Sequence, residues 1–103
     1  MIAPATQRLS DISISAELSK LDCWQHENIG DADTIHKTYR FVDYHHTMAF
    51  VNATAWISHQ QDHHPDIVLG YNQCKVVYTT HSVNGLSIND FVCAAKIDAL
   101  FAL

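Results

Sequence analysis

The chain has 103 residues, 48% of them hydrophobic and 17% charged, which suits one folded domain and excludes a disordered chain. The formal net charge is −5 and no basic run occurs, so direct binding to nucleic acid or to an anionic membrane surface is not expected. No apolar stretch approaches the roughly 20 residues that cross a bilayer, and the N-terminus lacks the basic and apolar regions of a signal peptide. Cys23, Cys74 and Cys93 are odd in number and form no CxxC pair, which points to reduced thiols in a cytoplasmic-type compartment. A chain this short leaves much surface exposed, so self-association would help its stability.

Residues 1–9 read as an arm that docks through Leu9. Ser10 or Ser13 caps a helix running to about Leu21, with Ile14, Leu18 and Leu21 on one face. Cys23 to Glu27 reads as a short strand carrying Trp24, and Asn28-Ile29-Gly30-Asp31 as a turn. From Ile35 to Phe41 the chain alternates, with Ile35, Lys37, Tyr39 and Phe41 on one side, which completes an antiparallel hairpin. His26 and His36 are expected to face solvent on these strands.

Asp43 is the expected N-cap of the longest helix, which ends near Gln61. Tyr44, Met48, Val51 and Ala55 form one apolar face, and Phe50, Ala53 and Ile57 a second flank. One face can cover the sheet, and the other is available to a second chain. Ile67 to Leu69 reads as a short strand, Gly70 to Gln73 as a turn, and Cys74 to Thr80 as the clearest strand of the chain. There Cys74, Val76, Tyr78 and Thr80 point one way, and Lys75, Val77, Thr79 and His81 the other. After a loop at Val83 to Leu86, Ser87 caps the last helix with Asp90 in a capping-box position. The order α-β-β-α-β-β-α gives an α+β fold: a four-stranded antiparallel sheet with helices packed on one face.

Chemistry concentrates at Asp62-His63-His64-Pro65-Asp66, with His81 and Asp90 downstream. Pro65 cannot continue the helix and biases His64 away from helical backbone, so the adjacent histidines sit at a helix end. On a helix they would point about 100° apart, better placed to line two sides of a pocket than to chelate one ion. Imidazole titrates nearest neutral pH, so three converging rings can deliver and remove protons. A metal site has weaker support: His59 and His63 have the i, i+4 spacing, but the interval His59-Gln60-Gln61-Asp62-His63 lacks the glutamate of HExxH. No cysteine or GxSxG stretch offers a nucleophile. His45-His46 in the first turn of a helix reads as a solvated pair.

His59, His63-His64-Pro65, Tyr71, His81 and Asp90 together resemble the spaced pattern of the pterin-4a-carbinolamine dehydratase family, also described as the dimerisation cofactor of a homeodomain transcription factor. Trp24, Tyr39-Arg40-Phe41, Phe50 and Gly85-Leu86-Ser87 extend the similarity over most of the chain. The resemblance implies the same α+β fold, assembly into homodimers or homotetramers, and dehydration of a 4a-hydroxytetrahydropterin to a quinonoid dihydropterin. In the family this recycles the cofactor of aromatic amino acid hydroxylases. It implies catalytic roles for His63, His64 and His81: His63 and His81 as the acid–base pair, His64 mainly positioning. It implies substrate-binding roles for His59, Asp62, Pro65, Tyr71 and Asp90, and neither metal nor cofactor. A non-catalytic interaction protein of the same fold is the alternative. His59 stands where many members carry glutamate, Ile67 where an aromatic is common, and Leu69 and Gly70 where residues are often polar and β-branched.

Overall fold

A computed structural model describes residues 6–101, and residues 1–5 of the N-terminal arm lie outside the described residues. The Leu9 amide donates to the Leu86 carbonyl at 2.8 Å, and Leu9 packs against the core, so the arm docks where expected. Helix α1 (Asp11–Leu18) begins at Ser10, whose side chain accepts the Ser13 amide. Ile14 is buried, and Leu18 and Leu21 rest on the core. The helix itself stops at Leu18, short of the expected end.

Strands β1 (Gln25–Ile29) and β2 (Ala32–Arg40) form the first hairpin. Its turn is Gly30-Asp31, with φ of 58° and 68°, the left-handed pair whose twist matches that of the strands. The expected start of β1 at Cys23 moves to Gln25. Cys23 is itself left-handed at φ 65°, and Trp24 turns into the core before the ladder begins.

Helix α2 (Tyr44–Gln61) is capped by Asp43, which accepts the His46 amide. Strands β3 (Asp66–Leu69) and β4 (Gln73–Tyr78) follow, and then helix α3 (Ile88–Asp98). The sheet order is β1-β2-β4-β3, antiparallel throughout. This is the α+β arrangement that the alternation patterns predict.

One sheet face carries Ile35, Tyr39, Cys74, Val76 and Tyr78, all buried with Phe50, Phe91 and Ile97 from the helices. Among the described residues no helix covers the opposite face, where Thr38 and Arg40 are exposed. Lys37 belongs to the core-facing set, as its position in the alternation requires. A cation there needs a partner, and Asp98 at the end of α3 supplies it at 2.9 Å. Tyr39 Oη and Trp24 Nε1 donate to the same carboxylate at 2.5 and 3.0 Å.

Of the two apolar flanks of α2, the one with Phe50 and Ile57 faces the core, joined by hydroxyl residues. Thr47, Phe50, Thr54 and Ser58 are buried, with Val51 and Ile57 beside them, while Tyr44 and Ala55 are exposed. Hydroxyl side chains can enter a core where a local acceptor is at hand. Thr47 Oγ1 donates to the Asp43 carbonyl, and lies 2.9 Å from that of Tyr71. The outward side of α2 leaves Tyr44 and Trp56 exposed, with Tyr71 beside Tyr44. Among the described residues no helix is long and apolar enough to cross a membrane.

Candidate active site

The site forms where α2 ends. Asp62 takes the left-handed backbone of a helix C-cap at φ 50°, and the His63 amide reaches back to the Ser58 carbonyl at 3.0 Å. This tight reversal, stopped by Pro65, throws His63 and His64 off the helix axis toward the end of β4. There β4 gives way to a 3-10 turn at His81–Val83, closed by a bridge between Thr80 and Gly85. The two reversals face one another. Between them lies a cleft of about 250 Å³ lined by Asp62, His63, His64, Thr79, Thr80, His81 and Ser82. The three histidines expected to act together therefore line one cleft.

Their settings differ. His63 is mostly buried, its Nε2 2.6 Å from Asp90 Oδ1. Its ring lies parallel on that of Tyr78, centroids 5.5 Å apart and planes 6° apart. His64 and His81 are exposed. With Nε2 engaged on the carboxylate, His63 Nδ1 has no side-chain hydrogen-bond partner among the described residues.

Asp90 is 0% exposed and is held from three directions. His63 occupies one oxygen, while the Thr80 hydroxyl and the Ser87 amide donate to the other at 2.7 and 2.9 Å. The Ser87 contact is half of the capping box that starts α3, so the aspartate that begins a helix also fixes a histidine 27 residues away. Asp90, expected among the substrate contacts, has no exposed surface here and meets His63, Thr80 and Ser87 instead.

Tyr78 supports the His63 ring from below. Burial pushes its phenol well above the ordinary range, so it stays neutral, and its hydroxyl pairs with Ser58 at 2.9 Å. Tyr78, Thr80 and Ser87 were missed as site residues in the sequence. The alternation of β4, which places Tyr78 and Thr80 on the core side, was the signal available for two of them.

Of the other expected substrate contacts, only Asp62 lines the cleft. His59 is exposed on α2 and stacks on Trp56, centroids 6.3 Å apart. Pro65 is half-buried and sets the chain direction. Tyr71 stacks on Tyr44 at the opposite end of α2, and an 18-residue helix separates that end from the cleft by about 27 Å. Within one chain Tyr71 does not reach the site.

Comparison with known proteins shows relatives in both sequence and fold. Residues 7–100 match the family model described as pterin 4 alpha carbinolamine dehydratase. A protein of Nitrosospira multiformis, provisionally named for that activity, is 56% identical over 95 residues, covering 92% of this chain and 80% of its own length. The crystal structure of a transcriptional coactivator/pterin dehydratase from Brucella melitensis superposes with a TM-score of 0.84 at 30% identity, over 91% of this chain and 98% of that one. A pterin dehydratase-like protein identified as a RuBisCO assembly factor in the alpha-carboxysome gives a TM-score of 0.66 at 26% identity, over 77% and 89%.

Proposed function

Since the chain belongs to the pterin-4-alpha-carbinolamine dehydratase family, we propose that it removes water from a 4a-hydroxytetrahydropterin to give the quinonoid dihydropterin. The observation that carries this reading is the shared cleft: His63 and His81 come from separate segments and line it together, with His63 anchored on Asp90.

The reaction breaks the C4a–O bond and forms a double bond from C4a to N5. Hydroxide leaves poorly, so one imidazole protonates it and it departs as water. The N5 proton goes to a second group as the double bond forms. One proton is supplied and one is removed, so the two histidines return to their starting state after exchange with solvent. His63 works through Nδ1, with the Asp90 carboxylate beside any charge its ring acquires. His81, whose ring has no hydrogen-bond partner among the described residues, is the other member of the pair. His64 and Asp62 on the cleft wall orient the pterin ring. On this reading the protein supplies all the acid–base groups itself, and neither metal nor cofactor takes part.

The test is the purified protein, with chelator present, mixed with chemically generated 4a-hydroxytetrahydropterin and followed in the ultraviolet. Dehydration should outpace the uncatalysed reaction. His63→Ala and His81→Ala should each slow it by about a hundredfold or more while the fold survives. Wild-type-like turnover in either variant removes that residue from the mechanism.

A second reading rests on the outward side of α2, where Tyr44 and Trp56 are 49% and 61% exposed. Such a strip suits contact with further copies of the chain, as a homodimer or homotetramer, or with a partner protein. An interaction protein without turnover would show tight binding through α2 and no acceleration in the same assay.

A further inference from the structure

His63 is fixed by Asp90 and Tyr78, whereas the exposed His81 ring has no hydrogen-bond partner among the described residues. The backbone that carries His81 therefore sets where its ring stands. That backbone is the 3-10 turn His81–Val83, and its own bonds are short-range. The Val83 amide donates to the Thr80 carbonyl, the Asn84 amide to that of His81, and the Thr80 amide to that of Gly85. The N-terminal arm meets this turn from outside. The Leu9 amide donates to the Leu86 carbonyl at 2.8 Å, and Asn89 Nδ2 donates to the Thr6 hydroxyl at 3.3 Å. Between these two anchors the Arg8 side chain crosses Gly85. A Cβ on Gly85 would lie 2.7 Å from Arg8 Cδ and 3.1 Å from its Cγ. Gly85 is buried and its φ is not positive, so what calls for glycine here is the close approach of Arg8.

We propose that Arg8 is a positioning residue for His81: its aliphatic stem, laid across Gly85, clamps the turn and so fixes the ring over the cleft. The inference rests on the dehydratase reading, in which His81 moves a proton, and adds what holds that histidine in place. An arginine suits the task because its methylenes can cover a buried backbone while its charge stays in water, and Arg8 is exposed. The charge lies near enough to Asp33 in β2 to lower further a carboxyl that His26 chiefly holds down, so the side chain spans from the arm over the turn toward β2. Thr79 ties the same pieces from the other side. Its hydroxyl donates to the Asp33 carbonyl at 2.8 Å and lies 3.3 Å from that of Gly85. Arg8 does not line the cleft, so any effect it has on the chemistry passes through the turn. A catalytic group displaced by about 1 Å can lose up to about a hundredfold in rate, and a ring placed by backbone alone is open to such a shift.

The experiment uses three single variants and one double. Arg8→Ala removes the stem, Arg8→Met keeps a stem without the charge, and Gly85→Ala pushes the stem aside. In the dehydration assay Arg8→Ala should lower kcat about tenfold and leave KM within about twofold, because His64 and Asp62 still line the cleft. Arg8→Met should keep kcat close to wild type; a loss as deep as that of Arg8→Ala overturns the clamp. Gly85→Ala should lose as much kcat as Arg8→Ala, and the double variant Arg8→Ala/Gly85→Ala no more than either, since both act on one contact. Additive losses overturn the proposal. Hydrogen-exchange NMR gives a readout that needs no turnover. In Arg8→Ala the Val83 and Asn84 amides should exchange about tenfold faster, while amides within β2 and β4 stay within about twofold, as for a surface substitution. Unchanged exchange at Val83 and Asn84, or faster exchange with an unaltered and measurable kcat, overturns the proposal. Faster exchange in Arg8→Ala, with no carbinolamine turnover even by wild type, sinks the dehydratase reading and keeps the clamp on the turn.

Discussion

His63 and Asp90 meet at 2.6 Å across 27 residues of sequence, and the aspartate they share with the start of α3 has no exposed surface. One buried side chain therefore serves the helix cap and the orientation of the cleft histidine together. The dual role makes a separable prediction. In Asp90→Asn the amide oxygen can keep the Thr80 and Ser87 donors, but its N–H then faces His63 Nε2, which must accept, so the ring loses both the carboxylate charge beside it and a free, accepting Nδ1. Stability should fall by about 1–3 kcal/mol. Turnover should fall by about tenfold to a hundredfold, with KM little changed because His64 and Asp62 remain. A loss of stability with unaltered kcat would confine Asp90 to capping.

The Tyr78 ring and its hydroxyl do different things. The ring carries His63, and the hydroxyl meets Ser58 in the core. Tyr78→Phe should cost about 1–3 kcal/mol, since the Ser58 hydroxyl is left buried without its partner, and should leave turnover close to wild type. Tyr78→Leu removes the parallel surface as well and should lower kcat. Urea unfolding and the dehydration assay on the two variants check this, and equal kcat in both would show that the stacked ring does not position His63.

How far the sequence led can be judged from particular residues. Period-two alternation placed Lys37 and Tyr39 on the core side of β2, and the structure explains why a lysine tolerates it: Asp98 receives it. The same alternation fixed the faces of β4. Asp43 and Ser87 were readable as caps because their side chains satisfy amides that would otherwise be orphaned. What was not readable depended on tertiary contact. The buried stripe of α2 runs through Thr47, Thr54 and Ser58, whose polarity argues against burial; Thr47 and Ser58 find partners, whereas Thr54 Oγ1 has none among the described residues. Asp90 was readable as a cap, but its contact with His63 was not, since that depends on the end of α2 arriving against the start of α3. Tyr71 lies close in sequence to the histidines, but the extended β3 (Asp66–Leu69) carries the chain away from the cleft before Tyr71 appears beside Tyr44 at the start of α2.

Asp98 gathers Trp24, Lys37 and Tyr39 at the opposite end of α3 from Asp90. Asp98→Ala leaves three donors, one of them charged, without their acceptor. The expected loss is about 2–3 kcal/mol, as for a hydrogen bond to a charged group. Eight residues of helix separate it from the site by about 12 Å, so kcat at a temperature below the transition should not change. Trp24 fluorescence reports the local environment. A large fall in kcat in folded protein would couple this cluster to the cleft.

Thiol reactivity should separate the cysteines. Cys23 is exposed, whereas Cys74 and Cys93 are buried. Burial raises both buried thiols, and Cys93 is pushed up to about 11, so neither offers a thiolate near neutrality. Ellman's reagent at about pH 8 should consume one thiol per folded chain quickly and all three only after denaturation. The raised Cys93 value also has a sign. Its contribution to stability is complete below the ordinary thiol value near 8.5 and is lost as pH rises toward 11. Cys93→Ala should flatten the alkaline side of the stability profile, and an unchanged slope would exclude this group as its source.

The acid side should answer to Asp33. Its carboxylate accepts from His26 at 2.8 Å and from Asn28 at 3.2 Å, and the His26 bond is the main reason that its carboxyl lies below the usual range. A depressed carboxyl favours the folded state above the unfolded value near 3.9, and that contribution disappears as pH falls through the lower folded value. Urea midpoints measured from about pH 7 down to 3 should therefore drop in wild type, and Asp33→Asn should give a shallower drop below about pH 4. His26→Ala should reproduce part of the change, because it removes the larger of the two donors. Profiles that run parallel in all three proteins would mean that the hairpin's paired charges leave acid stability to other carboxylates.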